Sequence, residues 1–232
     1  ISVHTVVSYV FSMLLRPGYD STVFGIYFVI GAIFSGIASI LIVMAIFRKL
    51  YHLEEYITER HFKNLSYLLL ATLFIYAYLA LGEYLTMGYT LKVESKHLLE
   101  TLMVGENAVW FWFLVVFGTI IPAILLLIRG GRPLPRILTA AVLINIGMWI
   151  KRFVIIIPGL QVPLMPFDFG SYRPTWVEWS ITAGAFAVFI LVFSVFTKLM
   201  PVLSIWEVAE HNEAETAHSS GAGAVEEVRV AG

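Results

Sequence analysis

The chain has 232 residues, of which 59% are hydrophobic and 13% charged, with a formal net charge of -1 and a mean hydropathy of +0.85. A soluble domain carries about 25% charged residues; this chain has too few to cover a water-facing surface, which leaves lipid as the solvent of most of it. The charge balance excludes a nucleic-acid partner, which calls for a basic patch, and the lack of cysteine excludes disulfides, cysteine-ligated iron–sulfur clusters and thiolate zinc sites within the chain.

The first residue is Ile1 and residues 3–15 are apolar but too short to span a bilayer. They read as the end of a preceding segment or as a helix lying in the interface, and the whole as the C-terminal part of a longer protein. A hydrocarbon core of about 30 Å needs roughly 20 apolar residues as helix, and five stretches qualify: about 22–47, 62–87, 108–128, 135–157 and 177–199. The expected fold is therefore an all-α integral membrane protein, an antiparallel bundle of about five transmembrane helices. Residues 1–21 form an external connector, 22–200 the bundle and 201–232 an acidic, partly disordered tail.

Small residues recur every four positions in the first span, at Gly31, Ser35 and Ser39 and at Ala32 and Gly36, a pattern that lets helix backbones approach. Pro122 is expected to kink the third span. In the tail, Glu207, Glu210, Glu213 and Glu215 precede a Ser/Gly/Ala run, which reads as a solvated end or a docking segment. One set of loops holds Arg48, Lys49, Arg60, Lys63, Arg129, Arg132 and Arg136, the opposite set Arg16, Lys92, Lys96 and Arg173. The excess makes the first set cytoplasmic, together with the C-terminal tail.

Ionisable groups at membrane depth are functional candidates by default. Glu83 falls about five residues, roughly 7 Å, inside the outer end of the second span, and Lys151 and Arg152 about six residues, roughly 9 Å, inside the outer end of the fourth. Glu106 and Glu178 begin the third and fifth spans at the same face, and Arg16 and Asp20 lie in the external turn before the first. The inner half offers mainly Asn145, Thr119, Ser66, Tyr67 and Thr139. A site confined to the outer third suits a ligand arriving from the lipid and exchanging protons with water near one surface, as a quinone does. The plainer alternatives are snorkelling and internal pairing for Lys151 and Arg152, and helix-dipole placement for Glu106 and Glu178.

None of the six histidines (His4, His52, His61, His97, His211, His218) lies mid-span, which excludes a di-haem arrangement with axial ligands on facing helices. His4 is near enough to the outer surface to face a site there. His52, Glu54, Glu55 and His61 fall in a charged loop and read as solvated rather than as metal ligands. No nucleotide-binding loop, nucleophile elbow or zinc-protease motif is present.

The strings Pro17-Gly18-Tyr19-Asp20-Ser21-Thr22-Val23-Phe24, Asn145-Ile146-Gly147-Met148-Trp149-Ile150-Lys151-Arg152-Phe153, Pro174-Thr175-Trp176-Val177-Glu178-Trp179-Ser180 and Ile205-Trp206-Glu207 resemble the second half of the NrfD/PsrC family of quinone-interacting membrane subunits, most nearly its ActC type in alternative complex III. The resemblance implies a subunit without a redox cofactor or metal of its own. It would bind menaquinol or ubiquinol near the periplasmic face of a bacterial plasma membrane. Electrons would pass to a docked iron–sulfur subunit and on to haem-c subunits, beside a homologous membrane subunit. It also implies a quinone pocket mainly in a preceding bundle and covered by the turn holding Asp20. Asp20, with Arg16 and His4 nearby, is then the expected quinone-binding residue and proton acceptor. No catalytic residue is assigned. Many relatives have Trp-His-Ser-Thr where this chain has Tyr19-Asp20-Ser21-Thr22, and Glu where it has Lys151. Glu83, Glu106, Lys151, Arg152 and Glu178 form a separate group, expected as a proton path or as buried ion pairs. A third reading makes this half a docking element without chemistry.

Overall fold

The computed structural model describes residues 2–90, 92–128, 133–163, 165, 168, 170, 172, and 173–199; the expected acidic tail lies outside the described residues. Among these there are helices and no strands, and five helices are long and apolar enough to cross a membrane. The all-helical membrane fold is as expected. The chain divides into two compact units, Ile1–Tyr172 and Arg173–Gly232.

The first unit begins with α1 (Ser2–Ser12), packed on the start of α2 (Phe24–Leu50). Gly25 lets it in: a Cβ there would meet the Tyr9 ring at 3.6 Å and Ser8 Oγ at 3.8 Å. Phe11 then joins Phe24 and Phe28 in an aromatic stack. The outward side of α1 stays apolar, with Val3, Val6 and Val10 exposed.

The 27 residues of α2 and the 32 of α3 (Glu59–Thr90) make helices of about 40 and 48 Å, longer than the hydrocarbon core, so their ends project from it. Between them, Leu53 N–H bonds Arg48 O at 3.1 Å while His52 takes a φ of 52°. This six-to-one bond closes a Schellman cap, whose left-handed position glycine usually fills. Arg48 and Lys49 end α2 where the helix dipole favours cations.

At the opposite end, the loop expected after α3 contains α4 (Val93–Met103), which lays Leu98 and Leu102 onto Met87, Phe111, Val154 and Val162. Eleven residues with alternating charges carry too little hydrophobic signal to stand out as a helix from sequence.

The third span is interrupted as Pro122 predicts, and the break has a specific form. α5 (Ala108–Val115) passes through a π turn at Val116–Ile120 into α6 (Ile121–Leu127). Ile121 N–H bonds Val116 O, five residues back, and the wider turn accommodates a residue that has no N–H and would otherwise press on the carbonyl four residues before it. α7 (Leu134–Gln161) crosses this turn backbone to backbone: a Cβ on Gly118 would lie 3.0 Å from Gly147 Cα. α7 thus meets the third span backbone to backbone at Gly118 and Gly147. Within the small-residue stripe of α2, Gly36 faces open space, Ser35 bonds Ala32 O of its own helix, and Gly31 and Ser39 meet α7. Phe34, Leu41, Leu69, Leu73, Ala141 and Ile144, each at most 1% exposed, fill the space between α2, α3 and α7.

In the second unit, α8 (Trp176–Leu199) is apolar on every side and buries no residue. It starts with a capping box: Thr175 N–H bonds Glu178 Oε2 at 2.9 Å and Glu178 N–H bonds Thr175 Oγ1 at 3.5 Å.

Candidate functional site

The end of the first unit that carries α4 also carries the turn before α2. Tyr19 N–H bonds Arg16 O at 3.1 Å and Gly18 has a φ of 87°, which makes residues 16–19 a type II turn with Pro17 and Gly18 at the positions that favour them. A Cβ on Gly18 would strike Leu98 at 2.8 Å, so glycine is required twice over. Three contacts pin the turn to α7: Tyr19 Oη donates to Ile155 O at 3.2 Å, Arg16 Nη1 to Val162 O at 3.4 Å, and Gly159 leaves room for Pro17 O. Tyr19 is buried against Phe11 and Phe24. Burial pushes its phenol above the usual range, and the Arg16 guanidinium offsets part of that.

Adjacent residues then diverge. Asp20 is exposed and pairs with Lys92 at 3.2 Å. Ser21 turns inward: its Oγ accepts Phe24 N–H at 3.1 Å, as a helix-starting hydroxyl does, and donates to Glu83 Oε2. Glu83 is 3% exposed, and its second oxygen, Oε1, is buried without a hydrogen-bond partner. It borders a cavity of about 30 Å³ beneath Pro17 and Gly18, together with Tyr27, Tyr84 and Leu98. That is room for a water molecule or two, not for an aromatic ring.

Below Glu83, Lys151 is also 3% exposed, and its Nζ has no hydrogen-bond partner. The ammonium rests on aromatic faces instead, 3.1 Å from the centroid of Tyr27 and 4.3 Å from that of Tyr76. The two tyrosines stack at 5.3 Å and join hydroxyls at 3.3 Å. Gly31 makes the space: a Cβ there would meet Met148 Cε at 3.0 Å and Lys151 Nζ at 3.4 Å. A desolvated cation over such rings gains about 2 kcal/mol, less than the several kcal/mol that burying an ion costs. Tyr27 links the two levels: it borders the cavity with Glu83 and carries Lys151 on its ring.

The structure brings Glu83 and Lys151 together, and within the first unit it turns Arg152, Glu106 and His4 outward. Lys151 also lies deeper than expected, because α7 runs on through Pro158 to Gln161; ten residues place it about 15 Å from that helix end. Arg152, one position on, is exposed, as a 100° step around the helix requires. Glu106 is exposed at the start of α5 and borders a separate open cleft of about 590 Å³ with Glu100 and Gln161. Glu178 caps α8 in the second unit. His4 is exposed on α1, its ring 6.4 Å from that of Phe28. The residues that sequence reasoning missed are Ser21, Tyr27, Tyr76 and Tyr84. Tyr76 lies seven residues before Glu83, two turns down the same face of α3, and that spacing was the available signal.

Comparison with known proteins gives a family for these residues. The family model described as polysulphide reductase, NrfD, matches residues 1–163, which include the turn, Glu83 and Lys151. The menaquinone reductase integral membrane subunit of Nitratidesulfovibrio vulgaris is 34% identical over 93 residues, covering 39% of this chain and 22% of that protein. The Hdr-like menaquinol oxidoreductase integral membrane subunit of Archaeoglobus fulgidus is 28% identical over 166 residues, 64% of this chain and 42% of that protein. The matched part is thus less than half the length of either relative.

Proposed function

The chain belongs to the NrfD family, and on that premise we propose that it is the quinone-interacting membrane subunit of a quinol-oxidising complex, with the turn at residues 16–22 forming one wall of the quinol site. The observation that carries this is the gathering, at one end of the bundle, of the pinned turn and a buried acid, amine and tyrosine cluster directly beneath it. The names of the two relatives, a menaquinone reductase subunit and a menaquinol oxidoreductase subunit, support quinone as the ligand class. Asp20 and Arg16 are the polar side chains the turn presents to a headgroup, with His4 on the neighbouring α1.

We place this end at the periplasmic face of a bacterial plasma membrane, as the excess of Lys and Arg in the opposite loops supports. Electrons then leave to an iron–sulfur subunit docked on that face and to haem-c subunits, beside a homologous membrane subunit, as in alternative complex III. The resemblance of the turn and of residues 145–153 to ActC-type subunits supports that choice. Quinol oxidation by the purified intact complex tests the reading. Asp20→Asn is expected to raise KM for quinol and weaken binding of a headgroup-mimicking inhibitor; unchanged turnover and inhibitor affinity argue against a quinol site at this turn.

The burial of Glu83 and Lys151 favours a second reading, a proton-conducting element of the same complex. In reconstituted liposomes Lys151→Met then lowers proton uptake at equal electron flux. Uptake equal to that of the unmodified complex counts against it.

A further inference from the structure

The proton expected to pass to Asp20 has a better acceptor. Asp20 is exposed and already paired with Lys92, so it offers a quinol hydroxyl little that bulk water does not. Glu83 is 3% exposed, holds one oxygen with Ser21 and leaves the other unpartnered at the cavity beneath Pro17 and Gly18. A buried carboxylate oxygen without a donor is costly, and a polar cavity of this size is where a water molecule satisfies one. Lys151 lies below it, its Nζ on the Tyr27 ring that also borders the cavity. Beyond Lys151 the described side chains around Tyr76 turn apolar or bond their own helix: Tyr76 stacks on Phe34 at 5.4 Å, Thr72 donates to Leu68 O and Leu69 O, and Phe34, Leu73 and Ile144 are each at most 1% exposed.

We propose that Glu83, with Lys151 as its counter-charge, is a proton-holding site that exchanges with the turn end of the bundle alone, through the cavity under residues 16–19, and that this carboxylate rather than Asp20 takes the proton of the oxidised quinol. The quinol part rests on the functional reading above. In the step, one quinol O–H bond breaks and its proton passes by way of water in the cavity to a Glu83 oxygen, forming the carboxylic acid. The second hydroxyl proton goes to surface water. Two electrons leave to the iron–sulfur or haem acceptor of a partner subunit, and quinone remains. Glu83 then returns its proton to the same surface. Ser21 orients the acceptor by holding Oε2.

The intact complex is followed by infrared difference spectroscopy during quinol turnover, which reads the carboxylic-acid band of a buried carboxyl that gains a proton. The band is expected in wild type and in Asp20→Asn and to be absent in Glu83→Gln. Val154→Leu, which puts another carbon into the cavity wall, is expected to slow its appearance. Glu83→Gln is expected to lower kcat by about 100-fold, the scale of a lost proton acceptor, with KM held, and Glu83→Asp to restore part of the rate. A band that survives in Glu83→Gln, an equal rate of appearance in Val154→Leu, or unchanged kcat in Glu83→Gln overturns the proposal. A complex without quinol turnover overturns the functional reading and the quinol step with it. The rate at which the Glu83 carboxyl band of the resting protein responds to a pH jump, compared between wild type and Val154→Leu, then still decides whether Glu83 exchanges through the cavity.

Discussion

Removing the ammonium of Lys151 tests whether it and Glu83 form one electrostatic unit. Lys151→Met keeps the length of the side chain and deletes the charge. The loss has two parts: the contact with the Tyr27 and Tyr76 rings, about 2 kcal/mol when desolvated, and the attraction to Glu83, about 1–3 kcal/mol. Against this, an ammonium that had no hydrogen-bond partner no longer has to be desolvated, which returns several kcal/mol. The opposing parts are of similar size, so the single variant is expected to shift stability by less than about 2 kcal/mol, and the coupling carries the test. The two groups are not within ion-pair contact of 4.0 Å. At an effective dielectric of about 20 that distance bounds their attraction at about 4 kcal/mol. A double-mutant cycle with Glu83→Gln, read as unfolding midpoints in detergent, should therefore give a coupling of about 1–3 kcal/mol. The double variant should be more stable than Lys151→Met alone. Additive effects of the two substitutions would refute the idea that they act as a unit.

Other substitutions probe the scaffold. Gly147→Ala drives a methyl into the Gly118 backbone, where neither helix can yield by a rotamer change, and should cost about 1–3 kcal/mol in the same unfolding assay. His52→Gly relieves a left-handed residue at the α2 cap and should stabilise by about 1 kcal/mol. Thr175→Ala removes half of the α8 capping box and should cost about 1 kcal/mol, whereas Glu178→Gln, which can keep the bond to Thr175 N–H, should cost less. Because the chain has no cysteine, Lys49→Cys and Lys96→Cys report topology without background. An impermeant maleimide added to intact cells should label the second and spare the first.

The fold was legible in the sequence wherever length and hydropathy decide it. Five apolar stretches become five long helices because lipid leaves the backbone no other way to satisfy itself. Pro122 announced a break, but not that a π turn would form it or that Gly147 would pack on that turn at Gly118, a contact between residues 29 positions apart. α4 was hidden for the opposite reason: its stability comes from Leu98 and Leu102 docking onto other helices rather than from a long apolar run.

The site was legible by depth and not by direction. Sequence placed Asp20, Glu83, Lys151 and Arg152 towards one end, and they lie towards it, though α7 runs on to Gln161 and leaves Lys151 and Arg152 deeper than expected. It could not separate Lys151 from Arg152, since the two differ only by one step around α7. The face is set by Ile144 and Gly147, seven and four residues before Lys151 and both buried. Nor could it separate Asp20 from Ser21. The type II turn commits Tyr19 to the interior, the next residue faces out to Lys92, and the one after faces in to Glu83. An isolated carboxylate in a turn looks like the chemical group, and an isolated serine beside it looks like a helix cap. Only the three-dimensional turn shows that the serine's second bond reaches the buried acid. If that acid holds the proton, the turn serves the chemistry through its shape: Pro17 and Gly18 roof the cavity, Ser21 holds the carboxyl, and Asp20 tethers the roof to Lys92. On this reasoning, substitutions that change the turn's backbone should disturb proton transfer more than those that change the charge it displays.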